Sequence, residues 1–178
     1  MSICRVSVVL RGWGAAAVLL TACSALSTQG KAERLAAQMR DRSLGLDAQS
    51  RAATQLVRMG GKGVGALAQM LGEDDTDLVE FACIALARIG PKASDAVPAL
   101  IPLVKHDHLR VRALAIRALG MIGPAARDAS PALLEALDDP EPGIRSSAAN
   151  ALVGIGYADA ERIRDLLAEH EGPPEARQ

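Results

Sequence analysis

Gly90, Gly123 and Gly156 stand at equal intervals of 33 residues (123 − 90 and 156 − 123), and each closes the same phrase. Leu86-Ala87-Arg88-Ile89-Gly90-Pro91 returns as Leu119-Gly120-Met121-Ile122-Gly123-Pro124 and again as Leu152-Val153-Gly154-Ile155-Gly156-Tyr157. A fixed period of this size is the mark of stacked supersecondary units, each of which buries its apolar face only against its neighbours. The 178 residues fit one such array. Hydrophobic residues make up 49% of the chain but aromatics only 2%, so the apolar content is nearly all Ala, Leu, Val and Ile. Small Ala lets helices approach closely and Ala and Leu carry high helix propensity, and no alternating strand pattern competes. The expected class is all-α.

The units are read in order. Lys31 to Arg42 sets Ala32, Leu35, Ala36 and Met39 on one face, which predicts a capping helix over 31–43. The first full unit covers about 47–71: Asp47 is placed to cap a helix running to about Met59, and Gly60-Gly61 ends it. Gly60 lies 30 residues before Gly90, three short of the period, and the shortfall falls between the two helices. Later units cover about 76–105, 109–137 and 142–169. Their first helices carry Phe81, Cys83, Leu86 and Ile89, then Val111, Ala115, Leu119 and Ile122, then Ile144, Ala148, Leu152 and Ile155. Pro98 and Pro131 suit the first turn of each second helix, where the missing N–H is no loss. Pro102 does not suit a helix interior and predicts a kink or a later start. The end, Gly172 to Gln178, reads as a polar, disordered tail.

Asp139-Pro140-Glu141-Pro142-Gly143-Ile144-Arg145, followed by Ala148, Ala149, Ala151, Leu152, Ile155 and Gly156, resembles a HEAT repeat, and more narrowly the short HEAT-like repeats named after phycobilisome lyases. Leu109-Arg110-Val111-Arg112 through Gly123-Pro124 is similar; the two earlier units lack the Arg, with Val79 in its place. The resemblance covers about residues 47–169 and implies a right-handed α-solenoid of stacked antiparallel helix pairs, armadillo-like in outline. Arg112 and Arg145 are read as ladder residues that hydrogen-bond the turns near Asp107 and Asp139; ligand binding is their other possible role.

Residues 1–22 read as a targeting segment, with Arg5 and Arg11 ahead of a short apolar run from Gly14 to Leu20. That run is well below the roughly 20 residues needed to span a bilayer. Leu20-Thr21-Ala22-Cys23 then resembles the lipobox of bacterial lipoproteins. The resemblance implies removal of a signal peptide at 1–22, lipidation of Cys23, and a tether over 23–30. Ser24 after the cysteine, in place of Asp, implies outer-membrane sorting, facing the periplasm. An ordinary secretory signal, with Cys23 only a small residue near the cut, is the other reading. Cys83 is left as a single thiol at a helical core position.

The net charge is −1, with no basic stripe and few stacking aromatics, which argues against a nucleic-acid partner. His106-Asp107-His108 offers two imidazoles and a carboxylate, but neighbours in sequence do not converge on one ion without ligands from elsewhere. His170-Glu171 resembles one of the His-Glu pairs that deoxyhypusine hydroxylase, a HEAT-like di-iron enzyme, places on successive repeats. The earlier unit ends, Val104-Lys105 and Leu137-Asp138, have no His. Neither hydrolase, nucleotide nor zinc-protease motifs occur, and the glycines at 60, 61, 63 and 65 lack the strand and Lys-Ser/Thr of a phosphate loop. The expectation is a non-enzymatic interaction scaffold without a cofactor, attached to a membrane through Cys23 and meeting a protein partner on its second helices at Asp95, Lys105, Arg127 and Glu135. A metal-binding or catalytic protein, of the hydroxylase or bilin-lyase type, using His106, Asp107, His108 or His170, is the alternative.

Overall fold

The computed structural model describes residues 28–157 together with Asp159 and Ile163. The leader, Cys23, Leu166, His170 and the tail at 172–178 lie outside the described residues. Helix α1 covers 28–40. After a 3-10 turn at Arg42–Leu44 come α2 (Gly45–Met59), α3 (Gly61–Met70), α4 (Thr76–Ile89), α5 (Val97–Leu100), α6 (Leu109–Ile122), α7 (Ser130–Glu135) and α8 (Pro142–Gly154). The 3-10 segments Gly90–Ala96 and Gly123–Ala129 lead into α5 and α7, and Pro102–Lys105 and Ala136–Asp138 follow them. No strand occurs among the described residues. The chain is an all-α solenoid. First helices α2, α4, α6 and α8 stack side by side in one layer, and the second helices with their 3-10 flanks form the other.

Glycine ends each first helix for a backbone reason. Gly60, Gly90 and Gly123 have φ of 57, 66 and 78° with ψ of −135, −135 and −147°. Any Cβ is strained there. Pro91 and Pro124 then open the 3-10 turns, being unable to continue the helical ladder. Gly156, at φ 74°, closes α8 differently. Its N–H bonds to Val153 O at 3.0 Å and that of Tyr157 to Leu152 O at 2.9 Å, the paired bonds of a Schellman cap.

Between the layers runs one continuous core. Val111, Ala115, Leu119 and Ile122 are fully buried, as are Ala148, Leu152 and Ile155 one period later. α6 packs on α4 at one side and α8 at the other, so this face is shut from both directions. Ala32, Leu35, Ala36 and Met39 bring α1 into the same core. Gln49 is the buried polar residue of the described core, and its amide donates to the carbonyl of Met39 at 2.9 Å.

Local chemistry moves several boundaries. Residues 28–30, read as tether, are helical, and α1 ends at 40 rather than 43. Asp47 does not cap α2: the helix already begins at Gly45, straight out of the preceding 3-10 turn, and Asp47 lies in its first turn, where a carboxylate suits the positive end of the dipole. Gly60 is at once the end of α2 and the cap of α3, so the three missing residues fall where later units have their seven-residue 3-10 turn. Pro102 neither kinks a long helix nor delays it. Ile101 N–H still bonds Val97 O at 3.1 Å, then α5 stops and Pro102 starts a 3-10 segment, in which its absent N–H is not needed.

Candidate functional site

The turns between units are held by arginine. Arg112, on the first turn of α6, donates from Nη1 to the carbonyls of His106 at 2.9 Å and Asp107 at 3.1 Å. One period on, Arg145 does the same for Asp139 at 3.0 Å and Pro140 at 3.1 Å. These are carbonyls just past a second helix, which no helical N–H reaches. Arg112 Nε also lies 3.2 Å from the Asp139 carboxylate, with both side chains mostly covered, but its N–H is not aimed along a hydrogen bond. In unit two the equivalent Val79 is simply buried.

A second set of rungs was not anticipated. Arg40 pairs with Glu73 at 2.5 Å, and Arg42 with Asp75 at 2.6 Å, each exactly one period apart in sequence. Opposite charges at that spacing were the available signal. The Arg42 hydrogen bond holds the Asp75 carboxyl below the usual carboxylate range, and the same bond raises the guanidinium. Asp75 also caps α4 through the Asp77 N–H. Glu80, largely covered, receives Arg110 at 2.9 Å, with the His108 ring at 3.6 Å.

These placements separate the histidines. His106 turns its Nδ1 back to accept the backbone N–H of His108 at 3.1 Å, while His108 faces Glu80. Asp107 is exposed. The three side chains therefore do not converge, and among the described residues no group of three His, Cys, Asp or Glu could hold a metal ion. Burial pushes the Cys83 thiol up to about 12, far from a nucleophilic thiolate at neutral pH.

Of the four second-helix residues, Lys105 and Glu135 form an ion pair with each other. They border a hollow of ≈ 380 Å³ that Arg112 and Asp139 also line. Arg127 reaches across to the end of α8, with Nε 3.4 Å from the Ile155 carbonyl, a position that favours a cation. Asp95 is exposed, with the Ser94 hydroxyl beside it. More open space lies on the other layer. A cleft of ≈ 620 Å³ between α2 and α4 has Leu78, Phe81 and Ile84 as its apolar wall. Two smaller grooves of ≈ 120 and ≈ 160 Å³ flank α4, and all three share Ile84. The period hides this surface, because the residues at its outward positions differ from unit to unit.

The sequence matches the family model for HEAT repeats over residues 64–152 and again over 110–178. No curated protein sequence matches the chain. Among solved structures, two engineered proteins are similar in fold. One has 24% identity and a TM-score of 0.56, covering 77% of this chain and 68% of its own. The other has 22% identity and a TM-score of 0.55, covering 77% and 69%. A designed armadillo repeat protein in complex with the peptide (KR)4 aligns at 16% identity with a TM-score of 0.57, covering 82% of this chain and 77% of that one.

Proposed function

Given that this chain belongs to the HEAT-repeat family, we propose that it is a non-enzymatic scaffold or adaptor that binds a protein partner. The observation that carries the reading is how the repeat uses its residues. Positions that recur at 33 close helices, fill the core or tie turns, while among the described residues His106 is turned onto its own backbone, His108 faces Glu80 and Cys83 is buried. What remains for function is a long two-layered surface with grooves between helices, the kind of extended face that solenoids present to partners. The designed armadillo protein of similar fold is in complex with a peptide, which supports a peptide-like segment as the ligand class.

The partner is met at the bacterial cell envelope. A signal peptide at 1–22 is removed, Cys23 is acylated, and the solenoid faces the periplasm from the outer membrane. Lipid then supplies the attachment, since among the described residues no helix is long and apolar enough to cross a membrane. Several acyl chains hold where one alone binds only marginally. The test is crosslinking in intact cells followed by identification of the attached protein, with Cys23→Ala alongside. A specific protein adduct and release of the variant into the soluble fraction are expected. Stoichiometric iron or zinc in purified protein, lost with His106→Ala or His170→Ala, would sink the scaffold reading; unchanged fractionation of Cys23→Ala would sink the anchor.

A further inference from the structure

The first-helix layer has a charge the whole chain does not. Helices α2, α4, α6 and α8 hold seven Arg against three acids, a balance of +4 (7 − 3), while the chain as a whole is at −1. No Lys contributes to it. Around the cleft between α2 and α4 charges neutralise one another: Arg110 of this set with Glu80, and Arg42 with Asp75 just outside the helices. Further along α4 and α6 they do not. Arg88 and Arg117 are exposed, and among the described residues neither has a hydrogen-bond or ion-pair partner. Both line the ≈ 160 Å³ groove, together with Ile84, Leu114 and Met121. Ile84 is 36% exposed and Met121 55%, so open apolar side chains line the same groove as two unpaired guanidinium groups.

We infer that the α4–α6 groove is a docking site for an acidic peptide segment of a protein partner, one whose carboxylates alternate with an apolar anchor. This rests on the scaffold reading and names its partner's chemistry and the face it uses, which is the first-helix layer rather than the second. Charge complementarity carries it. A guanidinium presents two parallel N–H donors to one carboxylate, a geometry that Lys lacks. Ile84 and Leu114 offer apolar contact for an anchor side chain, and Met121, unbranched and adaptable, can adjust to it. Covering these side chains removes apolar surface from water, and the two ion pairs set register and orientation. An anionic lipid surface fits less well. Interfacial binding uses Trp, Tyr and Lys around a broad apolar face, and this layer offers narrow grooves with Phe81, half-covered, as its aromatic.

The probe is a fluorescein-labelled peptide alternating Glu and Leu, titrated with the full chain and followed by anisotropy. Arg88→Glu and Arg117→Glu each weaken binding about tenfold, a change of ~1.4 kcal/mol, and Ile84→Ser weakens it several-fold. Lys105→Glu, on the second-helix layer, leaves it unchanged, a peptide alternating Lys and Leu does not bind, and added salt lowers affinity. Far-UV circular dichroism checks that each variant folds; one that does not is replaced by Arg88→Gln or Arg117→Gln, for which a smaller loss is expected. Absence of binding to the acidic peptide overturns the proposal, as does binding that charge reversal leaves intact. Arginine-dependent binding to phosphatidylglycerol vesicles without peptide binding also overturns it and makes the face a membrane contact. If crosslinking in cells finds a protein held through Lys105 and Glu135, the scaffold reading survives and this inference fails.

Discussion

Gly63 and Gly65 lie two residues apart on α3, and the same substitution should move stability in opposite directions at the two sites. A Cβ at Gly63 would sit 2.7 Å from the Leu56 carbonyl oxygen, with the Leu56 carbonyl carbon at 3.4 Å. Restoring an ordinary contact of 3.4 Å means moving α3 off α2 by about 0.7 Å (3.4 − 2.7), backbone against backbone. There is no slack, because this unit lacks the 3-10 turn that separates the paired helices later in the chain. Overpacking of this kind costs roughly 1–3 kcal/mol, against a gain of up to about 1 kcal/mol from the helix propensity of Ala. Because the clash is with backbone the upper part of that cost applies, and Gly63→Ala should lose a net of up to about 2 kcal/mol. At Gly65 a Cβ meets nothing within 4 Å, and the position is exposed, so Gly65→Ala should gain up to about 1 kcal/mol. Urea unfolding followed by far-UV circular dichroism reads both, provided the m-values match that of the parent. The opposite signs are the test. If Gly63→Ala is as stable as the parent, the close approach of α2 and α3 is not a constraint and the reasoning fails.

Other expectations follow from burial and charge. Leu119→Ala, at a fully buried position between α4 and α8, should cost roughly 2–5 kcal/mol; a loss below 1 kcal/mol would mean the layers are not packed as described. The Asp75 carboxyl, held by Arg42, should titrate below the normal range in NMR, and Arg42→Ala should return it upward. Because its folded pKa is depressed, the pair's contribution is present above the ordinary Asp range and fades as pH falls through the lower, folded value. Cys83, with its thiol pushed up to about 12, should resist alkylation in native protein and react on unfolding, read by mass spectrometry of its peptide. Its sign is the reverse of Asp75's. An unfolded thiol loses its proton first, so stability falls as pH rises beyond about 9, the ordinary thiol value.

The repeat was legible because its rules are local. Leu-x-x-Ile-Gly carries its own helix stop, since the strained φ and ψ of Gly90 and Gly123 exclude other residues wherever the helix happens to pack. The apolar stripe of α6 follows from spacing alone, and its burial from the presence of a unit on either side. Pairings across the units were less visible. Arg40 with Glu73 could have been found by asking which charges reverse sign at one period, whereas Arg110 with Glu80 obeys no such rule. Long side chains reach sideways to whatever the neighbouring helix presents, and the period says nothing of that.

Sequence by itself determined the all-α class, the glycine stops that end the first helices, and the buried stripes of α6 and α8. All of these rest on backbone chemistry and nearest-neighbour spacing. Only the tertiary structure decided that Pro102 begins a 3-10 segment, that Gly63 must stay bare under Leu56, and that Lys105 and Glu135 satisfy each other while Arg88 and Arg117 stand open beside Ile84. The physical reason is that a repeat fixes which positions face inward, but the charges and hollows of its outer face depend on side chains from different helices meeting in space.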